Sequence, residues 1–261
     1  MSAGDTHKLV LTIEYDGAQY RGSQAQGHGA TVQSELETAV ARLTGEKIRI
    51  HLASRTDAGV SAAEQVASFR TSLRLPGRTV ADALNHFLPA DIAVKKVFRV
   101  PDTFDVRRHA VSREYRYRIL NTRIPSPLRE RHSYRVYGEL DIAAIEQAVG
   151  KLVGEHDLAA FASKLGRRPG TTIRRILAAG LTSEGEELVF RIVAKSFLPH
   201  MVRNIVGVLV KIGTGRLTVA EFEKLLSAAV PGSAGPAAPG KGLCLIKVNY
   251  AKDLGEFNED I

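Results

Sequence analysis

The sequence predicts an α+β fold of two ferredoxin-like halves, because one order of elements occurs twice along the chain. Alternating apolar residues and helical stripes follow one another as β-α-β-β-α-β in residues 1–106 and again in residues 107–261. We therefore expect an N-terminal domain over 1–106 and a C-terminal domain over 107–261. Their sheets are expected to join into one mostly antiparallel sheet with flanking helices, and a cleft between the halves is expected to hold the functional site.

Each element of the first half follows from its own apolar period. Side chains alternate between the faces of a strand and return to one face of a helix every three to four residues. By this criterion the first half contains a strand over 8–15, a helix over 32–43, strands near 47–52 and 64–70, a helix over 80–87 and a strand over 92–100.

The second half repeats this order and adds one helix. Its elements are a strand over 113–121, a helix over 141–153 with Asp141 as its N-cap, strands over 173–182 and 187–194, a helix over 200–212 and a strand over 243–250. The additional short helix, over 218–229, precedes a loop over 231–240 that is too rich in Pro and Gly for regular structure.

Composition places the chain among globular proteins. Of its 261 residues, 44% are hydrophobic and 25% are charged, which excludes a disordered chain. No apolar run approaches the ~20 residues that span a membrane, and the polar start lacks the apolar region of a signal peptide, so we expect a cytoplasmic protein. The single cysteine, Cys244, excludes an internal disulfide, and the sequence contains no evident cluster of metal ligands.

Positive charge is concentrated in the second half. Nine arginines and only two glutamates lie from Arg107 to Arg135, in a chain of net charge +8. A second cluster comprises Arg167, Arg168, Arg174 and Arg175. Because guanidinium groups bind phosphates through two hydrogen bonds, arginines beside tyrosines indicate a nucleic acid or another acidic partner. The alternative is a solvated sheet face, and charge alone does not indicate an enzyme.

One loop carries the residues that indicate chemistry. Between the strands near 47–52 and 64–70, the segment from Ala53 to Val60 displays Arg55 and Asp57. Turn chemistry alone would explain Asp57 and Gly59, since aspartate bonds its own backbone and glycine adopts a positive φ. The length of the pattern Arg-Thr-Asp-Ala-Gly-Val favours a functional loop instead.

This pattern resembles the signature loop of the tRNA pseudouridine synthase A family, and other segments resemble that family's other motifs. They are Tyr15-Asp16-Gly17 with Tyr20, Gly22, Gln24 and Gln26, then Phe104 to Arg107, Arg113 to Tyr117, His200 to Gly207, and Gly242-Leu243. The resemblance spans nearly the whole chain in the family's order, which turn chemistry does not produce.

The resemblance implies the pseudouridine synthase fold and a reaction. That reaction is the isomerisation of uridine to pseudouridine at positions 38, 39 or 40 of the tRNA anticodon stem-loop, without a cofactor or a metal. Asp57 is then the catalytic nucleophile, which attacks the sugar or the base or promotes elimination at the sugar. The resemblance also implies a homodimer that binds tRNA.

Arg203 is the second candidate catalytic residue. The helix over 200–212 is apolar nearly all round and is therefore expected to be buried, and a buried arginine needs a carboxylate or phosphate partner. Alternatively, Arg203 extends from the first helical turn into solvent. The resemblance pairs Arg203 with Asp57, and such a partner would keep Asp57 ionised.

Contacts to the substrate are expected from the strand over 113–121 and from the loop of Asp57. Tyr115 and Tyr117 share one face of the strand, and Arg116 and Arg118 share the other. Tyr117 is expected in the core, whereas the resemblance assigns Tyr115 to stacking on the target base. Arg55 is expected to fill the space that the extruded base leaves, or to hold an adjacent phosphate. Further RNA contacts are expected from Arg21, Gln24, Arg107, Arg113 and Arg116.

Three positions depart from the family pattern, and two other functions remain open. Ser23, Ser54 and Ser61 replace a common tryptophan, glycine and histidine, which bears on the choice of uridines because loops near the target often set specificity.

A non-catalytic tRNA-binding protein or RNA chaperone on the same fold would use the arginines but not Asp57. A hydrolase would use Asp57 as a general base and would normally need a metal cluster or a nearby histidine, of which His51 is the closest in sequence.

Overall fold

The computed structural model describes residues 6–27, 29–163 and 171–257, and it has the predicted α+β architecture. The first elements are β1 (His7–Tyr15), α1 (Val32–Thr44), β2 (His51–Leu52), β3 (Ser61–Thr71), α2 (Gly77–Phe87) and β4 (Ile92–Val100). They continue with β5 (Ala110–Asn121), β6 (Tyr134–Val136), α3 (Ile142–Gly150), β7 (Gly154–Asp157), β8 (Ile173–Glu184), β9 (Glu187–Ala194), α4 (Met201–Gly213), α5 (Val219–Ala228) and β10 (Leu243–Tyr250). None of the helices within these ranges combines the length and hydropathy that a membrane span requires.

The elements fall into two units, each with its own core. The first unit comprises Met1–Val111 and Leu245–Ile261, and the second comprises Ser112–Cys244. Most of β10 belongs to the first unit because it lies beside β3 in that unit's sheet. The expected boundary at 106/107 assigns residues 245–261 to the second half, so the compact units divide the chain differently, and the domains themselves stay a prediction.

The sheet of the first unit has the order β4-β1-β3-β10, with β2 also paired to β3. β1 is antiparallel to both β3 and β4. β1 lies between β3 and β4, so both of its edges are hydrogen-bonded. Val10 is as fully buried as Leu9 and Leu11 on either side of it, so both faces of β1 are covered as well. The alternation that predicts this strand therefore marks only one of its two buried faces.

Local signals fix the ends of α1. It begins with a capping box, in which the Ser34 N–H donates to Thr31 Oγ1 at 3.2 Å and the Thr31 N–H donates to Ser34 Oγ at 3.0 Å. It ends at Gly45, which adopts the left-handed conformation with φ 76°. Between these ends, Leu36 and Val40 are fully buried, as the helical stripe predicts.

The predicted strand near 47–52 is wrong for most of its length, because only His51 and Leu52 pair with β3. Side chains of α1 satisfy the backbone before this point. Gln33 Nε2 donates to the Ile50 carbonyl at 3.1 Å, and the Ile50 N–H donates to Glu37 Oε1 at 3.0 Å. Ile50 is buried, and its backbone is satisfied by these two bonds although it does not belong to the sheet. Its apolar side chain therefore fits the strand pattern without forming a strand.

The sheet of the second unit has the order β5-β9-β8-β7, and each step is antiparallel. β6 adds to β5 as a parallel strand. Asp141 caps α3 as predicted, since its carboxylate accepts the Ala144 N–H at 2.9 Å. Ile205, Val206 and Leu209 of α4 are fully buried.

The sequence prediction lacks β6 and β7, which are too short to display an alternation. It also extends the helix that begins after Asp141 as far as residue 153, whereas α3 ends at Gly150. The chain turns there, and Gly154, with φ 124°, begins β7.

Candidate active site

The loop of Asp57 joins β2 to β3, and its first residues are fixed to β3. The Ala53 N–H donates to the Val66 carbonyl at 2.8 Å. Gln65, a fully buried side chain, bonds both backbone groups of Ser54: its Oε1 accepts the N–H at 3.1 Å and its Nε2 donates to the carbonyl at 2.9 Å. The chain therefore enters the loop in a fixed direction.

Thr56 anchors the middle of the loop to the N-terminal motif. Its hydroxyl lies 2.8 Å from that of Tyr15, at the end of β1. Its N–H donates to Ser23 Oγ at 2.8 Å, and its carbonyl accepts the Ser23 N–H at 3.0 Å. Both Thr56 and Ser23 are buried. Three bonds to two separate segments thus leave Thr56 little freedom.

The last part of the loop is held at Gly59 and Val60. Gly59 has φ 76°, and its N–H donates to the Tyr20 carbonyl at 3.3 Å, while the Val60 N–H donates to the Asp57 carbonyl at 3.2 Å. Tyr20 is itself anchored through its hydroxyl, which donates to the Asp91 carboxylate. Burial and Asp91 together raise the pKa of Tyr20 well above its usual value, so it stays a neutral donor.

This anchoring presents the two residues beside Thr56. Arg55 is exposed, and Asp57 is half-buried. Both residues make further contacts within the protein. A carboxylate on an immobilised backbone, open on one side, suits a nucleophile or a general base.

Two of the three serines that depart from the family pattern support this loop with their side chains. Ser23 Oγ accepts the Thr56 N–H, as above, and Ser61 Oγ accepts the Gly17 N–H at 3.0 Å. Ser54 binds Gln65 through its backbone N–H and carbonyl, which other residues also supply.

Tyr115 and Tyr117 lie on one face of β5 in the second unit, as predicted. Tyr117 is fully buried, and its hydroxyl donates to the Pro239 carbonyl at 2.8 Å. Burial raises the pKa of Tyr117 far above its usual value, which fits the core role expected for it. Tyr115 is 7% exposed, and its ring meets that of Phe197 edge-on at 5.0 Å. Tyr115 therefore has a fixed ring orientation and a small accessible edge.

Arg203 lies in the first turn of α4 and is half-buried. Its Nε donates to the Ala238 carbonyl at 2.8 Å, and its own carbonyl accepts the Ala238 N–H at 3.0 Å. Because Tyr117 bonds the next residue, Pro239, the structure brings Tyr117 and Arg203 together on one loop. Arg203 also makes contacts beyond these.

The residues expected to contact RNA differ in exposure. Arg21, Arg107 and Arg116 are exposed, and Gln24 is half-buried. Arg113 is only 7% exposed, and its Nη1 donates to the Lys195 carbonyl at 2.6 Å, which is a structural contact inside the second unit. Arg113 thus offers little surface to a partner.

The arginine clusters are partly paired with carboxylates. Within the run from 107 to 135, Arg129 lies 2.6 Å from Glu186, Arg135 lies 3.0 Å from Glu130, and Arg116 lies 3.4 Å from Glu114. Of the second cluster, Arg174 is half-buried and Arg175 is exposed, whereas Arg167 and Arg168 lie outside the described residues.

Sequence reasoning misses the residues that position the loop rather than act in it. Gln65 and Asp91 belong to no motif, and Ser23 is noted only as a departure from the family pattern. The signal available for Gln65 is a polar residue directly before the buried segment Val66 to Phe69 of β3.

A family model described as tRNA pseudouridine synthase matches residues 11–107 and 148–251. The chain belongs to the tRNA pseudouridine synthase family. The matched residues include the loop of Asp57 and the first turn of α4 with Arg203, whereas Tyr115 lies between the two matched segments.

Relatives carrying the name tRNA pseudouridine synthase A match almost from end to end. That of Geotalea uraniireducens (strain Rf4) is 39% identical over 244 residues, which are 93% of this chain and 99% of that protein. That of Roseiflexus sp. (strain RS-1) is 44% identical over 249 residues, covering 94% and 91% respectively. A chain in a crystal structure of a Cbf5-Nop10-Gar1 complex is 10% identical, with a TM-score of 0.34 over 78% of this chain and 54% of that one, and similarity at this level decides nothing.

Proposed function

We propose that this member of the tRNA pseudouridine synthase family isomerises uridine to pseudouridine in tRNA, with Asp57 as the nucleophile. The observation that carries the proposal is the anchoring of Thr56, which holds a half-buried carboxylate beside it in a loop tied to three segments. A protein that only binds RNA needs no such carboxylate. The family membership and the end-to-end similarity to relatives of that name supply the substrate.

The reaction rearranges one nucleotide without changing its composition. The bond from the sugar C1′ to N1 of uracil breaks, and a bond from C1′ to C5 forms after the base turns. C5 loses its hydrogen as a proton, and N1 gains one. Asp57 attacks the sugar or the base covalently, or promotes elimination at the sugar, and is released when the product forms.

The other site residues act on the positioning of the uridine in this proposal. Tyr115 stacks on the target base, and its edge-on contact with Phe197 holds the ring still. The pairing of Arg203 with Asp57 belongs to this proposal. The Nε of Arg203 donates to the Ala238 carbonyl. Exposed Arg55 takes the place of the extruded base or holds a neighbouring phosphate.

The substrate positions, assembly and compartment belong to the same proposal. The modified uridines are those at positions 38, 39 or 40 of the anticodon stem-loop, and the enzyme works as a homodimer in the cytoplasm, where tRNA is found. No cofactor takes part. Light scattering of the protein alone, expected at twice the mass of one chain, tests the dimer.

The deciding experiment measures tritium released to water from unmodified tRNA labelled at C5 of uracil. Wild type is expected to release tritium, and Asp57→Asn is expected to lower release by at least ~10³-fold, because an amide is not a nucleophile of this kind. Primer extension after chemical marking of pseudouridine then maps the product to positions 38–40.

The matched control is Asp82→Asn, an identical change at an exposed aspartate of α2. It is expected to release tritium at the wild-type rate. Tight tRNA binding with no release by wild type would contradict the proposal in favour of an RNA chaperone. Shortened RNA, seen by mass spectrometry, would favour a hydrolase, since isomerisation leaves the mass unchanged.

A further inference from the structure

A second basic site lies in the first unit, apart from the loop of Asp57. It is a cavity of about 440 Å³ on the sheet, and residues from β4, β1, β3 and β10 all contribute to its lining. We name it the lysine groove, after its four lysines, Lys95, Lys96, Lys247 and Lys252. Crossing four strands takes three strand spacings, or ~14 Å, which is long enough for several phosphates of a nucleic-acid strand.

A β-bulge brings two of these lysines to the groove. In the ladder of β1 and β4, Thr12 pairs with Lys96 but the next residue, Ile13, pairs with Val94. Lys95 is therefore an extra residue in β4. In a regular strand, consecutive side chains lie on opposite faces, whereas here both Lys95 and Lys96 are exposed and line the groove.

The side chains of the other two lysines are not engaged within the described part of the protein. Lys247 of β10 and Lys252 are both exposed, and neither side chain makes a hydrogen bond or ion pair there. By contrast, Lys95 Nζ lies 2.8 Å from Glu14 Oε2. Lys247 and Lys252 thus carry the available positive charge of the groove.

The remaining lining fits an anion better than an apolar ligand. Phe98 and Val248 contribute to the groove but are each only 2% exposed, so little apolar surface is open. Two carboxylates, Glu64 and Asp253, also line it, and Asp253 Oδ1 is occupied by the Gly255 N–H at 2.8 Å. The four lysines outnumber by one the carboxylates that face them, which are those of Glu64, Asp253 and Glu14, the partner of Lys95, so the groove stays positive. Ammonium groups bind phosphates as point charges.

We propose that the lysine groove binds backbone phosphates of the substrate RNA at a distance from the uridine being modified. β3, which lines the groove at Glu64, begins at Ser61, four residues after Asp57. An RNA strand engaged at Asp57 continues on both sides of the target nucleotide, and the groove offers its phosphates Lys247 of β10 and Lys252, which follows β10. The inference rests on the proposed function for the identity of the RNA, but the charge and shape of the groove do not depend on it.

The test is the double variant Lys247→Gln/Lys252→Gln, with affinity for an unmodified tRNA transcript measured at several salt concentrations. Both side chains are exposed, so the fold is expected to persist, which circular dichroism checks. Affinity is expected to fall on the order of tenfold at moderate salt, and the slope of log affinity against log salt to fall by about 1 for each lysine.

The matched control is Lys47→Gln/Lys224→Gln, which makes the same charge change at exposed lysines outside the groove. It is expected to retain the wild-type affinity and slope. Equal losses in the two double variants would overturn the proposal, because only overall charge would then matter.

Further arms identify the occupant. The binding of polyglutamate and of inorganic phosphate is measured with the wild type and the double variant. The RNA assignment would be overturned if the variant lost binding of either anion but bound tRNA as tightly as the wild type. The two proposals can fail separately. If the wild type makes no pseudouridine, the proposed function is overturned. If the groove variant nevertheless shows lower tRNA affinity and a smaller salt slope than the wild type, the groove proposal is supported.

Discussion

Thr56 fixes the position of the candidate nucleophile without taking part in chemistry. Its N–H and carbonyl both bond Ser23, and its hydroxyl meets that of Tyr15. The neighbouring side chains, Arg55 and Asp57, then extend from a backbone that has little room to move. The position of the carboxylate therefore depends on the buried bonds of its neighbour as well as on Asp57 itself.

Replacing Ser23 by alanine tests this dependence. The Thr56 N–H would lose its acceptor while remaining buried, which costs about 2 kcal/mol of unfolding free energy. Urea unfolding measures that cost, and the rate of pseudouridine formation at saturating tRNA is expected to fall as the loop loosens.

Ser72→Ala is the control, since Ser72 is exposed just beyond β3. It is expected to change neither quantity. Unchanged stability in Ser23→Ala would mean that the Thr56 N–H finds another acceptor, and the anchoring described here would be wrong.

At this scale the sequence singles out candidate reacting groups, whose roles stay predictions, but it does not assign the residues that support them. Asp57 and Arg55 belong to a long motif, and the faces of Tyr115 and Tyr117 follow from strand alternation. The bonds of Gln65 and Ser23 to the loop join residues far apart in the chain, so no local pattern records them.

Among the elements, the passage from β1 into the N-terminal motif lies directly against the loop of Asp57. A Cβ placed on Gly17 would lie 2.1 Å from the Val60 carbonyl oxygen and 2.4 Å from its carbon. Both neighbours are backbone atoms, so the clash is relieved only if the loop itself moves. Glycine is required at this position by close approach rather than by conformation.

Gly17→Ala is therefore expected to lower the free energy of unfolding by about 3 kcal/mol and to displace Asp57, with a large loss of turnover. Gly27→Ala provides a matched control, because the structure records no described atom within 4 Å of its added Cβ. Urea unfolding and tritium release distinguish the two variants. If the two variants had the same unfolding free energy and the same rate of tritium release, the loop would accommodate the methyl group, and the rigid contact at Gly17 would be wrong.

Elements whose own residues carry a period are the ones that the sequence predicts well. The strands over 8–15 and 92–100 and the helix over 32–43 agree with β1, β4 and α1 to within one residue at each end. The segment before β2 fails because Gln33 and Glu37 supply the bonds that a strand would otherwise make. Here side chains of a helix replace the hydrogen bonds of a neighbouring strand. Such a tertiary contact leaves no periodic pattern in the sequence.

For the molecule as a whole, the main result is that Leu245–Ile261 is a structural part of the first unit. Leu245 of β10 is fully buried, and β10 lies beside β3 in that unit's sheet. Periodicity predicts the strand but not the unit to which it belongs, because the residues of 243–250 do not indicate which strand they pair with.

Leu245→Ala is expected to destabilise the first unit by about 3 kcal/mol through the cavity it leaves. Native-state hydrogen exchange would detect the loss as faster exchange in β1 and β3, far away in sequence. Ile246→Ala, at the half-buried next position, is expected to cost less. Unaltered exchange in β3 would contradict the placement of β10 beside it.

The placement of β10 also has a consequence for synthesis on the ribosome. Most of the first unit precedes residues 112–244 in the chain, yet its sheet lacks a strand until β10 has left the ribosome. Residues 112–244 are complete before that moment, so the later-made unit has its whole sequence available earlier. Until β10 emerges, the part of the β3 edge that β2 does not cover is open to pairing with other nascent chains, which creates a risk of aggregation during synthesis.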